Sequence, residues 1–252
     1  MPTDALFLFA HQDDEYGVYD ELARNVTEGR RVTCAYLTDG AAAGPAEPRN
    51  RESLRALARL GIDERAVQFL GERHGIADGS LYRSLPQVAE AITTLLDELG
   101  DHALVYVPAW EGGHHDHDGL HAVATILLHR RGRLAQGRQF SLYNAWRRPG
   151  PLFRVLTPLP QNGSVEARRL SLHQRLRNLR LCLGYPSQRR TWLGLLPFVA
   201  ARLLLDGRQT LQRLHLERVA DRPHGGRLYY EKRGFLTFDR LQQAIAAWRD
   251  RS

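Results

Sequence analysis

A chain of 252 residues with 43% hydrophobic and 25% charged residues has ordinary globular composition and enough length to bury a sizeable core, which excludes a disordered or fibrous protein. No run of 18 apolar residues occurs, and "MPTDALFLFA" has neither the basic start nor the cleavage site of a signal peptide, so the expectation is a cytoplasmic protein without a spanning helix. The net charge of +7 conceals a division: residues 1–127 hold 10 Arg against 21 Asp plus Glu, a balance of −11, whereas 128–252 hold 25 Arg plus Lys against 7 acids, a balance of +18. That split implies a cation site in the first part and an anion-facing surface in the second.

In chain order, "ALFLFA", "RVTCAYL", "AVQFL" and "ALVYVP" are short apolar runs of strand type. Between them lie "EYGVYDELARNVTEG", "RNRESLRALARLG" and "SLPQVAEAITTLLDELG", each with apolar spacing of three and four and a closing glycine, the signature of amphipathic helices. The alternation predicts an α/β, Rossmann-like, mostly parallel sheet with helices on both faces, whose ligands sit beyond the carboxyl ends of the strands. Further on, "QFSLYNAW" and "LFRVLTP" read as strands, and "EARRLSLHQRLRNLRLCLGY" and "FLTFDRLQQAIAAWRD" as helices. No linker divides the chain, so the expectation is one domain over 1–252, with an α/β core over 1–130 and a basic C-terminal elaboration over 131–252.

Two clusters fall at the same predicted sheet edge. The first, "HQDDE", follows the first strand; the second, "GGHHDHDGLH", follows the fourth. Cys34 and Cys182 are far apart and outside any CxxC spacing, so a metal here must be held by His and carboxylates. His11 and Asp14 are three apart where a helical turn brings i and i+3 to one face. A catalytic zinc commonly takes three protein ligands and keeps one position open, and His114, His115, His117 and His121 are all candidates for the third. The other histidines lack such company and read as structural or solvated.

"AHQDDE" followed about a hundred residues later by "HHDH" resembles the paired AHPDD and HxDH signatures of the LmbE/PIG-L family of zinc-dependent N-deacetylases. The weaker stretches "LTDGAAAG", "RNRESLRALARLGI" and "LGYPSQ" extend the likeness along most of the chain. The resemblance implies hydrolysis of an acetamide on an amino sugar, with Zn2+ or another divalent metal as cofactor. It implies His11, Asp14 and His117 as metal ligands, Asp13 as general base, His114 as stabiliser of the oxyanion and Asp116 as the partner that fixes His114. Gln12 departs from the family's proline and removes a fixed backbone angle but no ligand. A His117/His121 ligand pair is the alternative within the second cluster.

Arg49 and Arg51 lie on the helix after the second strand and are candidates to bind substrate hydroxyls or phosphate, against the reading of Arg49 and Glu52 as an i,i+3 surface pair. Trp110, just before the second cluster, is a candidate for the sugar site, against packing on the core. The segment "TWLGLLPFVAARLLL", flanked by Arg189, Arg190, Arg208 and Arg213, is too short to span a bilayer. It reads either as a buried helix broken at Pro197 or as a peripheral membrane contact through 189–213. The function expected is removal of an N-acetyl group from an N-acetylated sugar of a glycoconjugate, small or lipid-linked. An amidase releasing a larger acyl group is the near alternative, and a noncatalytic binder of an anionic polymer with a structural metal site the distant one. Nucleic acid is not an expected partner, because aromatic-interleaved basic motifs are absent. The sequence carries no sign of the oligomeric state.

Overall fold

Strands that are apolar on both sides need cover on both faces, and that requirement sets the architecture. The computed structural model describes residues 3–41 and 44–251. Its first half runs β1 (Ala5–Phe9), α1 (Tyr19–Thr27), β2 (Val32–Tyr36), α2 (Ala46–Ala58), β3 (Val67–Phe69), the short α3 (Leu70–His74), α4 (Leu85–Leu99), β4 (Leu104–Pro108) and α5 (His115–Arg130). The second half runs β5 (Gly137–Phe140), β6 (Tyr143–Asn144), β7 (Arg154–Val155), β8 (Val165–Arg169), α6 (Leu172–Cys182), α7 (Arg189–Ala201), β9 (Arg208–Arg213), the short α8 (Tyr229–Lys232) and α9 (Phe238–Arg249). Of the stretch "LTDGAAAG", Ala42 and Ala43 lie outside the described residues.

Seven strands form one sheet in the order β3-β2-β1-β4-β5-β9-β8. The pairs from β3 to β5 are parallel, and β9 and β8 extend the sheet antiparallel. This is the α/β Rossmann-like arrangement that the alternating pattern predicts. The period of two is plain in β1. Leu6 and Leu8 face a core shared with α4, α5 and α9, while Ala5, Phe7 and Phe9 face one shared with α1, α2, α6 and α7. Each Leu or Phe fully buried this way contributes about 1.5–3 kcal/mol.

Three sequence expectations need correction. The helix expected from Glu166 onward starts only at Leu172; Val165–Arg169 is an edge strand on β9, and the helix is capped by Ser171 in a box with Gln174. "LFRVLTP" gives only the two residues of β7, because Leu156 turns to a φ of 48° and ends it. The segment around Pro197 is not broken there: α7 continues to Ala201 and passes into a π turn over Arg202–Asp206. Its inward face is Trp192, Leu195, Val199 and Leu203, while Leu193 (77%) and Leu205 (87%) stand exposed, so the segment is amphipathic and not wholly buried.

Candidate metal centre

The carboxyl end of β1 passes directly into the first cluster. Asp13 adopts a left-handed backbone, φ 110°, a conformation that costs a non-glycine residue about 1–3 kcal/mol and is kept only where neighbours hold it. Glu15 does so: its Oε2 accepts from the Asp13 N–H at 2.8 Å and its Oε1 accepts from the Tyr36 hydroxyl. The turn then continues as a 3-10 helix over Asp14–Gly17. Asp14 Oδ2 accepts from the backbone N–H groups of Ala10 (3.0 Å) and His11 (2.8 Å), which leaves Oδ1 aimed across the site at His117 Nε2, 3.0 Å away.

The second cluster opens α5. Gly113 lets the chain pass close to the β6 strand, since a Cβ there would sit 2.0 Å from the Tyr143 carbonyl oxygen. His114 is the N-cap, its Nδ1 accepting from the Asp116 N–H at 3.2 Å, so Nε2 carries the proton of the neutral ring. His117, one turn on, places Nε2 3.2 Å from His11 Nδ1. His11 Nε2 lies 3.1 Å from Asp116 Oδ2 and 3.3 Å from Asp78 Oδ1, which fixes a proton on Nε2 and leaves Nδ1 with its lone pair.

His11, Asp14 and His117 thus bring ligand atoms within 4.8 Å of one another, all three residues buried. Two imidazole nitrogens and a carboxylate oxygen suit Zn2+ or another borderline divalent ion. A second grouping, His11, His114 and Asp116, meets the same distance test. The Asp116 carboxylate is already engaged there, accepting from the N–H groups of Gly79 (2.7 Å) and Leu81 (3.1 Å) as well as backing His11.

The electrostatics match a cation site. Burial opposes charge on His11, but Asp78 and Asp116 outweigh it and hold its proton affinity well above that of a free imidazole. The field that favours a second proton at Nδ1 also attracts a metal ion there. For Asp14, burial is overcome by His117 and His11, which depress its carboxyl to about 2. For Asp13, burial wins: its carboxyl is pushed up to about 8, with Arg49, 3.7 Å away, opposing the shift. Two adjacent aspartates are therefore driven in opposite directions. Burial, reinforced by His11, holds the His114 ring well below the usual histidine range, so it is a neutral Nε2–H donor.

Other expectations are redistributed. Trp110 is fully buried, with Nε1 donating to the Asp221 carbonyl oxygen at 2.9 Å; a side chain with no exposed surface cannot line a sugar site. Arg51 points outward to Glu47, 2.8 Å away, away from the cluster. Arg49 is buried and committed to the carbonyl oxygens of Gly40 (2.5 Å) and Gln12 (2.8 Å) and to Asp78 (3.1 Å), so it orders the loops around Asp13 and has little left for a ligand. It does not pair with Glu52, which accepts from Ser187. The Asp116 carboxylate holds His11, and it is Asp116's backbone that fixes the His114 tautomer. His121 turns away, its Nδ1 donating to the Pro108 carbonyl oxygen at 2.9 Å, and it belongs to neither ligand grouping among the described residues.

Asp78 and Tyr143 escaped the sequence reading, and Gln12 and His115 take roles it did not assign. Asp78 backs His11 and Arg49. Gln12, in place of proline, donates from Nε2 to Asn50 Oδ1 at 2.7 Å and ties α2 to the ligand loop. His115 donates to the Gly79 carbonyl oxygen at 2.9 Å and pins the Asp78 loop. Tyr143 packs edge-on against His117, ring centroids 5.8 Å apart, where Glu111 holds its strand by accepting from the N–H groups of Leu142 (2.6 Å) and Tyr143 (2.9 Å).

Fold and site together define an α/β protein with a metal-type His/Asp centre at the carboxyl edge of a parallel sheet. Residues 6–128 match the family described as GlcNAc-PI de-N-acetylase, PIG-L. Among solved structures the chain is similar to the zinc-inhibited form of the teicoplanin deacetylase Orf2, with 18% identity over 84% of this chain and 99% of that one and a TM-score of 0.60. It is likewise similar to the A40926 pseudoaglycone deacetylase Dbv21, with 20% identity, 84% and 97% coverage and a TM-score of 0.58. A third is the N,N'-diacetylchitobiose deacetylase from Pyrococcus horikoshii, with 14% identity, 88% of each chain and a TM-score of 0.61. No curated protein sequence matches the chain. Among the described residues no helix is long and apolar enough to cross a membrane.

Proposed function

We propose that the chain is a divalent-metal-dependent hydrolase that removes the N-acetyl group from an N-acetylated amino sugar within a glycoconjugate. The observation that carries this reading is the convergence of His11 Nδ1, Asp14 Oδ1 and His117 Nε2 on one point beside a carboxylate, Asp13, that is outside the ligand set. A structural zinc site is closed by four protein ligands; three beside a free carboxylate describe an open, hydrolytic one. Zinc is the metal the donor set favours. Bound there, a divalent ion would polarise the acetamide carbonyl and bring the pKa of a water towards about 7.

The chain's own residues supply the rest. Asp13 takes a proton from the attacking water and returns it to the departing amine, a role suited to a carboxyl whose proton affinity burial has raised towards neutrality. The His114 Nε2–H donates to the carbonyl oxygen as negative charge builds on it. Asp116 and Asp78 orient His11, and Arg49 places the Asp13 loop. Support for the PIG-L-like substrate class comes from the family match and from the names of the structural neighbours, which are deacetylases of glycoconjugates or of an acetylated sugar. The exposed apolar face of α7, which Arg189 opens, supports the further reading that a lipid-linked substrate is reached at an anionic membrane surface.

The test is acetate release by purified protein from a panel of N-acetylated sugars, free and lipid-linked in anionic vesicles, before and after chelation. Turnover should vanish with the metal and return with Zn2+ or another divalent ion. Undiminished turnover in protein shown by elemental analysis to be metal-free would exclude the metal-dependent reading, and release of longer acids but not acetate would move the assignment to a larger acyl group.

A further inference from the structure

One side chain separates two clefts beside His114. The first cleft, of about 490 Å³, runs from His114 past Tyr143 and Tyr229 to Arg190 and Thr191 at the start of α7. The second, of about 680 Å³, is lined by Tyr82, Arg83, Leu236 and Arg240, and its Tyr82 packs edge-on against His115, ring centroids 6.0 Å apart. Among the described residues Phe235 is the one that lines both. Its ring centroid lies 6.2 Å from that of His114 and 6.4 Å from that of His115, so the partition stands at the edge of the metal centre.

The local sequence "RGFLTF" puts the ring there. Gly234 takes a φ of 70° and turns the chain out of α8, while Leu236 and Phe238, further along, are buried in the core shared with α4 and α5. The Phe235 N–H donates to the Tyr230 carbonyl oxygen at 3.0 Å and the Phe238 N–H to Glu231 Oε1 at 3.1 Å, and the Arg233 guanidinium lies 5.7 Å from the Phe235 ring centroid. The backbone is held at both ends, yet the side chain is 53% exposed. Among the described residues the other large apolar side chains that stand exposed fall between Leu152 and Leu205 in the sequence; Phe235 is the one set against the site histidines. A single exposed apolar side chain needs no explanation, but one fixed as the wall between two cavities does.

We propose that Phe235 is a specificity-determining residue that limits the acyl group to acetyl, because its ring closes the second cleft to any chain extending beyond the acetamide methyl. The inference rests on the deacetylase reading, in which the His114 Nε2–H receives the carbonyl oxygen. From a carbonyl held there the two other substituents diverge. The amide nitrogen and its sugar suit the first cleft, where Tyr229, Thr191 and Arg190 offer hydrogen-bonding partners to sugar hydroxyls. The methyl makes no hydrogen bonds and suits the apolar ring of Phe235. A longer acyl chain collides with that ring, and a clash built against the wrong ligand is a direct way to discriminate.

The experiment measures kcat/KM of the metal-loaded protein for the methyl glycosides of N-acetyl-, N-propionyl-, N-butanoyl- and N-hexanoylglucosamine, by quantifying the amine set free. In the wild type acetyl should lead hexanoyl by about tenfold or more, the scale on which a pocket separates neighbouring chain lengths. In F235A that lead should shrink by about tenfold or invert; F235L should fall between; and F235W should tighten the limit so that propionyl is also rejected. A readout without turnover is the affinity of the metal-loaded protein for acetohydroxamate against hexanohydroxamate, which chelate a metal and carry acyl chains of the same two lengths. In F235A the preference should move towards the longer one. If no glycoside is hydrolysed at full metal content while the hydroxamate preference still moves in F235A, the limit set by Phe235 stands and the deacetylase reading falls. Equal use of all four acyl groups by the wild type overturns the proposal. So does an acetyl-to-hexanoyl ratio that is unchanged in F235A and F235L at wild-type metal content and melting temperature, and either result leaves the deacetylase reading intact.

Discussion

The two ends of the sheet treat carboxylates in opposite ways. At the carboxyl edge of the parallel strands, Asp14, Asp78 and Asp116 surround His11, and Arg49 is the guanidinium that reaches them, through Asp78. At the antiparallel end, Asp20 is buried between Arg168 and Arg177, Glu21 between Arg24 and Arg168, and Glu166 faces Arg138 and Arg213. The second region balances itself; the first is left with negative charge that something outside the chain must balance, because buried charge without a partner is costly. A deficit of that kind marks a cation site more reliably than any count of acids does. It also revises the reading of charge along the chain, since arginines of the basic half are spent on acids of the first half.

If the comparison is right, substitutions at the parallel edge should cost chemistry and those at the antiparallel end should cost stability. The largest effect is expected from the adjacent pair Asp13 and Asp14. Asp14→Asn replaces an anionic oxygen in a three-ligand site, and metal content should fall severely. Asp13→Asn should keep the metal and lower kcat by about 10² to 10⁴-fold, since an amide cannot accept the water's proton. Metal analysis and kcat on both variants decide the matter: loss of metal from Asp13→Asn with retention in Asp14→Asn would reverse the two roles.

Asp20→Asn probes the other end. Breaking a fully buried pair costs about 3–5 kcal/mol, but the Arg168 and Arg177 side chains are 39% and 27% exposed and can turn to water, so about 1–3 kcal/mol is expected. Denaturant melts should register the loss while metal content and kcat stay at wild-type values. A fall in kcat at full metal loading would mean that the two ends are coupled through α1.

The legible part of this molecule was the part written locally. Apolar runs and three-four spacing place β1 to β4 and the helices between them, and two short motifs place His11, Asp14 and His117 at one edge. What sequence hides is direction. Trp110 sits in the right loop but faces the core, and Arg49 is on the right helix but folds back onto backbone carbonyls. Asp78 lies in "GIADGS", a turn without periodicity, and reaches His11 only because His115 and Asp116 hold that turn from α5. The strand Val165–Arg169 reads as helix because its charges hide a two-residue alternation that only pairing with β9 makes decisive. The capping box at Ser171 was the local signal that could have corrected it.

The smallest effect at neutral pH tests the remaining alternative for the second cluster. His121 is buried with Nδ1 donating to Pro108 and Nε2 without a partner, and burial lowers its pKa to about 4. The folded value lies below the unfolded value of about 6.5, so between them the unfolded chain binds a proton that the folded chain refuses. Stability attributable to His121 is therefore present above about 6.5 and lost as the pH falls towards 4, by roughly 2 kcal/mol at pH 5. His121→Asn keeps a donor for the Pro108 carbonyl oxygen and removes the titration, at a small, pH-independent packing cost beside Trp110. At pH 7 the variant should be slightly less stable than wild type, and towards pH 5 the gap should close or reverse, with metal content unchanged throughout. A gap constant from pH 7 to 5 would refute the buried neutral state, and loss of metal would restore the His117/His121 ligand pair.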